Sequence, residues 1–412
     1  MLPAVVHGSS LLCHSLLRHT IMQLIILIIA VLLFLLYALL IIYYRGAWLS
    51  LEETGASTPV FNLSTKISVI IPARNEATNI KGCLESIAKQ TYPEHLFEVL
   101  VIDDHSTDNT ADIVRSFSAV STILISLSEH VEGANINSYK KKAIEIGIQQ
   151  SNGKLIVTTD ADCLVPPTWL ATIASFYEKY QPAFIAAPVV IACRFNFLEI
   201  FQALDFMMLQ GITGASVHKK IHSMCNGANL AYEKNAFYEV GGFKGIDSIA
   251  SGDDMLLMHK IYKRYPERMA FLKSKDAIVQ TAAQRSLGTF FNQRIRWASK
   301  ADKYDDKRIL PVLVLVYLFN VMLFALPVIS IFWNIQCSLL IVHCSLIEVW
   351  LLLLVLKTIT ELFFLFPVAV FFNKRSLLWL FPVMQPFHIV YTVIAGWLGK
   401  FGTYKWKERK VR

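Results

Sequence analysis

Residues 154–162, KLIVTTDAD, decide how this chain is read. Leu155, Ile156 and Val157 form a short apolar run of the kind that fills a strand covered on both faces. Two acids one residue apart end it. Alternate side chains of extended backbone share a face, so Asp160 and Asp162 are expected to converge just past the strand. Open α/β sheets bind ligands at that place. Paired carboxylates suit a hard divalent ion that keeps some water and bridges to substrate phosphates. An acidic turn after a buried strand has the same signature, so the flanking sequence has to decide.

Working outward, 66–71 (KISVII) reads as a buried strand that Pro72 is expected to stop, followed by a helix with Ile80, Leu84 and Ile87 on its core face. Residues 97–102 (FEVLVI) give a second strand ending in Asp103 and Asp104, and 122–126 (TILIS) a third. Lys140–Lys142 open a helix, with Lys141 and Lys142 expected on a solvated face. KLIVTTDAD supplies a fourth strand, and 184–190 (FIAAPVV) reads as a single fifth. Residues 226–232 (NGANLAY) form a small-residue turn into a strand, Asp253 and Asp254 sit at a helix start, and Gln293–Trp297 lies on the last helix before an apolar block. Strands alternating with helices, nearly all apolar, indicate an α/β fold with a mostly parallel sheet. The amphipathic stretch 194–211 suits a core helix, a membrane-surface helix or a groove wall equally well.

Of 412 residues, 54% are hydrophobic, and the mean hydropathy is +0.46. The excess is local. Residues 22–43 carry no charge and are long enough for a membrane span, after a neutral to weakly basic extension, 1–21; translation could begin at Met22. Residues 309–399 form a second apolar block of three or four helices, in runs 309–333, 337–356, 358–372 and 376–399. Glu348 and Glu361 are its only acids, and no span carries an ion-coupling pair, which argues against a transporter. The polar stretch between the blocks holds 29 basic and 28 acidic residues, and the remainder 10 and 3. The net charge of +8 therefore sits beside the membrane segments, chiefly in the 400–412 tail, which argues for anionic lipid and against nucleic acid. Cytosolic placement of both the domain and the tail requires an even number of crossings after residue 308, yet bases at 374–375 and 400–412 cannot all be cytosolic if every run crosses once. Seven cysteines without a CxxC pair read as reduced thiols, and His218, His222 and Cys225 lack a fourth zinc ligand.

SVIIPARNE (68–76), VIDDHSTDNT (101–110), KKKAIEIG (140–147), TDADC (159–163), NGANLAY (226–232), GDDMLL (252–257) and QRIRW (293–297) occur in the order and spacing of the inverting glycosyltransferases of family 2. The chain resembles the membrane-bound branch of that family over about residues 64–300. The resemblance implies the GT-A fold and transfer of a sugar from a nucleotide donor, a UDP-sugar first among candidates, to a lipid-linked or growing glycan. A processive polysaccharide synthase is the alternative within the family, and a non-catalytic sugar-nucleotide sensor or transporter-associated protein the alternative outside it. It further implies donor contacts from Pro72, Glu76, Asp103, Asp104, Lys140, Asp160, Gln293, Arg296 and Trp297. Mg²⁺ or Mn²⁺ would sit on Asp162 with Asp160, acceptor contacts would come from Asn226, Gly227, Asn229 and Trp297, and Asp254 would be the base with Asp253 in support. Asp253 stands where the family more often has Glu. The expected location is the bacterial inner membrane, multi-pass, with the catalytic domain in the cytosol.

Overall fold

The computed structural model describes residues 6–55, 63–131, 138–194, 196–249, 252–300, 305–333, 336–339, 342–401, 404–406 and 409–411. In chain order the elements are α1 (Val6–Ser50), β1 (Ile67–Ala73), α2 (Ile80–Ala88), β2 (Phe97–Asp103), α3 (Thr110–Ser116), β3 (Thr122–Ser126), α4 (Tyr139–Gln150), β4 (Leu155–Thr158), β5 (Cys163–Leu164) and α5 (Trp169–Tyr180). There follow β6 (Phe184–Ala186), β7 (Val189–Ala192), α6 (Phe197–Lys219), β8 (Leu230–Glu233), α7 (Lys234–Glu239), α8 (Asp253–Arg264), β9 (Met269–Phe271), β10 (Val279–Ala282) and α9 (Leu287–Ala298). The last long elements are α10 (Ile309–Trp333), α11 (Leu346–Phe371) and α12 (Phe381–Phe401).

A seven-stranded sheet in the order β3-β2-β1-β4-β8-β6-β9 forms the frame. Only β8 runs against its neighbours. Val69, Ile70, Val99, Leu100, Ile156 and Val157 are fully buried, as expected of strands covered on both faces. Pro72 does not stop β1. It lies inside the strand opposite Ile102, and β4 pairs only as far as Ile70, so no ladder bond is lost on that side. The expected fifth strand is two strands in different sheets. Ala187 and Pro188 separate β6 in the large sheet from β7, which pairs with β10 in a small sheet completed by β5.

The first helix continues past residue 43 into the domain. Its Tyr44 hydroxyl lies 2.8 Å from His222 Nε2, and the Trp48 ring packs edge-on against Phe271 of β9 and Phe371 of α11. His222 is thus spent on holding α1, and no metal-competent group of three or more His, Cys, Asp or Glu occurs among the described residues. The stretch around 194–211 is the buried helix α6, which joins the domain to the long helices. A Cβ at Gly211 would lie 2.6 Å from Val368 of α11, and one at Gly214 2.7 Å from the Trp48 ring. The apolar runs 337–356 and 358–372 are not separate helices. Lys357, which divides them in sequence, lies inside α11, 2.7 Å from Glu361 one turn on. Its Nζ also donates to Gln385 Oε1 at 2.6 Å, and this pairing lets the charge stay buried in one continuous helix. Among the described residues, four helices are long and apolar enough to cross a membrane: Leu24–Ser50, Ile309–Ile331, Leu346–Phe371 and Arg375–Phe401.

The backbones of β1 and the approach to β4 meet closely at Gly153. Gly153 N donates to Ser68 Oγ at 2.8 Å, and a Cβ at Gly153 would lie 2.5 Å from Ser68 N and 2.7 Å from the Ile67 carbonyl carbon. Backbone in a central strand cannot yield as a side chain can. Gly153→Ala is expected to cost about 1–3 kcal/mol by overpacking, seen as a lower thermal midpoint in detergent, whereas Gly241→Ala, with no atom within 4 Å of its Cβ, tests only the cost of its positive φ.

Candidate active site

The site forms at the carboxyl edge of β1, β2 and β4. Beyond β1 and β2 the backbone turns through two left-handed residues, Asn75 (φ 52°) and His105 (φ 54°). Short polar side chains tolerate this region best. The two loops are laced together. Asn75 N donates to Ser106 Oγ at 2.9 Å, Thr107 N to Asn75 Oδ1 at 2.8 Å, and Arg74 Nη1 to the Asp104 carbonyl at 2.8 Å. Glu76, Asp103 and Asp104 are thereby fixed on one rim. The Asp104 carboxylate takes His105 Nδ1 at 3.0 Å, and Glu76 Oε2 accepts from Asn79 at 2.8 Å. Asp103 Oδ1 is buried with no hydrogen-bond partner. An orphaned carboxylate oxygen is costly, and a hydroxyl or amine of a bound ligand would satisfy it.

Asp160 and Asp162 are not carried on extended backbone as strand alternation predicts. β4 ends at Thr158, and the acids ride on a turn closed by Cys163 N to the Asp160 carbonyl at 3.1 Å. Beneath that turn lies Cys83. Burial foremost, then the carboxylates of Asp162, Asp160 and Glu76, push its thiol up to about 12. Three predicted site acids therefore surround one buried, unreactive sulfur.

Lys140 joins this rim to the opposite wall. It stands in the first turn of α4, and its Nζ is 2.7 Å from Asp160 Oδ1 and 3.4 Å from Asp253 Oδ2. Burial works against its charge, but Asp160 and Asp253 prevail and raise its pKa. For Asp253, burial pushes the pKa up, while the ammonium groups of Lys140, Lys300 and Lys141 bring it below the ordinary value. Gly227 leaves room for this meeting. A Cβ there would stand 3.4 Å from both Asp253 Oδ2 and Lys140 Nζ, so a side chain longer than a methyl would intrude on the pair. Asp254 is oriented by two backbone amides, Gly227 N at 3.1 Å and Met255 N at 2.8 Å. Both acids occupy the first turn of α8, where the helix dipole favours negative charge. Gly252 enters that turn at φ 82°, a conformation natural to glycine.

Other predicted residues fall elsewhere. Asn226 Oδ1 caps its own turn on Ala228 N at 2.9 Å. Asn229 is fully buried. Its amide donates to the Pro188 and Ala277 carbonyls and accepts from Trp169 Nε1, so it braces the sheet rather than facing an acceptor. Pro72 lies within β1, below the rim. Trp297 contacts α6 through Phe206, and the Arg294 guanidinium sits 4.3 Å above its ring, so that face is covered. Gln293 Oε1 lies 3.4 Å from Arg294 Nη1.

Three residues have roles that sequence reasoning missed. Lys141 is buried rather than solvated, and its Nζ donates to the carbonyls of Ile246 (2.8 Å) and Ile249, clasping the loop ahead of α8. Burial lowers its pKa to about 8. Lys300 runs along the turn that opens α8, its Cδ 3.5 Å from where a Gly252 Cβ would stand. Burial lowers its pKa, Asp254 opposes that, and Arg296 adds to it, which places Lys300 in the field of the α8 acids. Arg294 pairs with buried Asp205 at 2.6 Å. No spacing in the sequence announces any of the three.

Lys140→Met removes the largest influence lowering the Asp253 pKa, so that pKa should rise. The acid limb of the pH–turnover profile is expected to move to higher pH, alongside weaker donor binding. An unmoved limb would separate Lys140 from Asp253.

Two family models match the chain: "Glycosyl transferase family 2" over residues 68–241 and "Glycosyl transferase family group 2" over residues 155–397. Glycosyltransferase AglE of Haloferax volcanii is 41% identical over 104 residues, 25% of this chain and 33% of that protein. Probable glycosyltransferase YdaM of Bacillus subtilis is 26% identical over 57% of this chain and 54% of its own length. The chain thus spans about a third to a half of these relatives. Among solved structures, the mannosyltransferase PcManGT of Pyrobaculum calidifontis, in complex with GDP-Man and Mn²⁺, superposes with a TM-score of 0.54 at 19% identity over 90% of this chain and 99% of that one. That likeness shows the fold, the GT-A arrangement of a mostly parallel sheet. With the second model covering more than half of its residues, the chain belongs to the family 2 glycosyltransferases.

Proposed function

We propose that the chain is an inverting glycosyltransferase that moves a sugar from a nucleoside diphosphate donor to a lipid-linked or growing glycan acceptor at the cytosolic face of a membrane. One observation carries this reading: the Lys140 ammonium stands between Asp160 on the donor rim and Asp253 on the opposite wall, over the gap that Gly227 leaves open.

The rim formed by Glu76, Asp103 and Asp104 offers acceptors to the hydroxyls and amines of a nucleoside, with Asp103 Oδ1 still to be satisfied. Asp160 and Asp162 are oxygen donors on one turn. Two carboxylates do not fill a coordination sphere, which fits Mg²⁺ or Mn²⁺ completed by water and substrate phosphate oxygens. When bound, such an ion would neutralise charge on the departing diphosphate. Lys140 adds a cation beside Asp160. Asp254, held by two backbone amides, keeps lone pairs free to take the acceptor hydroxyl's proton. Asp253, tied to Lys140, orients its neighbour. Proton acceptance on the wall facing the donor is the arrangement inversion requires. Gly227 lines that wall.

Purified protein in detergent, screened against UDP-sugars and GDP-mannose, is expected to turn over one donor with added Mg²⁺ or Mn²⁺ and to stop in EDTA. Asp162→Asn should abolish transfer with the fold intact. Asp254→Asn should lower turnover ~10²–10⁴-fold, the usual loss on removing a general base, with donor affinity near that of the parent, and Asp253→Asn should be milder. Undiminished turnover by Asp254→Asn would remove it as the base, and a product of retained anomeric configuration would exclude inversion.

A further inference from the structure

Helix α12 meets the length and hydropathy of a membrane span, but its neighbours place it otherwise. Near its start, Gln385 Nε2 donates to Glu361 Oε2 at 2.6 Å. Glu361 also accepts from the Tyr37 hydroxyl of α1, and the Tyr37 ring lies 4.9 Å from Phe319 of α10. Gln385, Glu361, Tyr37 and Phe319 therefore share one level of the helix bundle. Eleven residues later, about 16 Å along the helix, Gly396 abuts Tyr317 of the same α10, where a Cβ would come within 2.5 Å of the ring. Tyr317 and Phe319 differ by only about 3 Å of rise. Over that length, α12 passes across α11 and α10 instead of descending beside them.

The other side of α12 tells the same story. Phe387 and Tyr391 pack on Phe290 at the start of α9, and a Cβ at Gly399 would lie 2.6 Å from the Cβ of Ala298 at its end. Thus α12 follows α9, which bears Arg296 and Trp297, from end to end in the same direction. The Tyr391 hydroxyl donates to Asp205 Oδ1 at 2.7 Å, joining the buried Asp205–Arg294 pair of α6 and α9. The outward stripe is Val383, Pro386, Val390, Ile394, Trp397 and Phe401, apolar throughout and spaced three or four residues apart. Val383 is 68%, Trp397 60% and Phe401 68% exposed. Trp379, 86% exposed, precedes it, and Lys374, Arg375 and Lys400 flank it.

We infer that α12 is not a crossing. It lies in the plane of the membrane, its exposed apolar stripe in the lipid boundary and its buried side, which carries Gln385 and Tyr391 among apolar residues, packed on α9 and α6, so that lipid supports the helix carrying Arg296 and Trp297. The apolar stripe, flanking bases and aromatic residues are those of a helix resident at a bilayer surface. Only α10 and α11 then cross after residue 308. They leave the domain at Ile309 and return at Phe371 beside Trp48, which puts Lys374, Arg375 and Lys400 on the domain's side together.

The test is labelling with a membrane-impermeant maleimide, on sealed cells and on inverted vesicles, of single cysteines in a cysteine-free background. Arg375→Cys and Lys400→Cys are compared with Lys244→Cys in the domain and Ile331→Cys at the far end of α10. Arg375→Cys and Lys400→Cys should react from the same face as Lys244→Cys, and Ile331→Cys from the other. Reaction of Arg375→Cys and Lys400→Cys from opposite faces would make α12 a span and overturn the inference, as would both reacting opposite Lys244→Cys. A topology reporter fused after Arg412, read in the native-cysteine protein, gives the same answer should the cysteine-free protein not fold. Neither readout depends on sugar transfer.

Discussion

One ammonium group holds the two halves of the site in register. Lys140 reaches Asp160 on the turn after β4 and Asp253 on the first turn of α8, segments more than 90 residues apart in the chain. Among largely buried groups such attractions are less screened than at a surface. Two carboxylate walls brought this close would otherwise repel. The cation makes the approach affordable, and Gly227 gives it room. Asp254 is then aimed by the same turn that presents Gly227, so the geometry of the proposed base depends on a contact made by the first turn of α4.

The second dependence is the seam between the sheet and the long helices. Its core is apolar, through Trp48, Phe271 and Phe371, but its specificity is polar. Lys357, Glu361, Gln385 and Tyr37 form one set, and Asp205, Arg294 and Tyr391, with His388 nearby, another. Buried charges are costly to desolvate and worth keeping when fully paired. Each set demands particular partners on different helices, so it fixes how α11 and α12 sit against α6 and α9, where apolar contact alone would allow sliding. Arg296 and Trp297 on α9 thus inherit their position from these buried groups.

Strand composition was legible because both faces of a parallel sheet are buried, and burial shows as uninterrupted apolar runs. The rim acids were legible because they follow such runs. Pro72 misled because a proline ends a strand only where its missing N–H is needed, and β4 had already stopped pairing. FIAAPVV misled because hydropathy does not record which sheet a strand joins. Lys357 misled in the same way, since a lone lysine in an apolar run looks like a break until its partners one turn on and on α12 are known.

By itself the sequence determined the family, the alternation of strands and helices, the acids at their ends and the apolar segments, since each of these is written in local pattern. Tertiary structure alone decided that Lys141 is buried and Lys140 bridges, that Asn229 braces the sheet, that Arg294 is paired with Asp205, and that α12 lies along α9. Those outcomes depend on which distant groups share a low-dielectric space, and side-chain spacing along one chain carries no record of that.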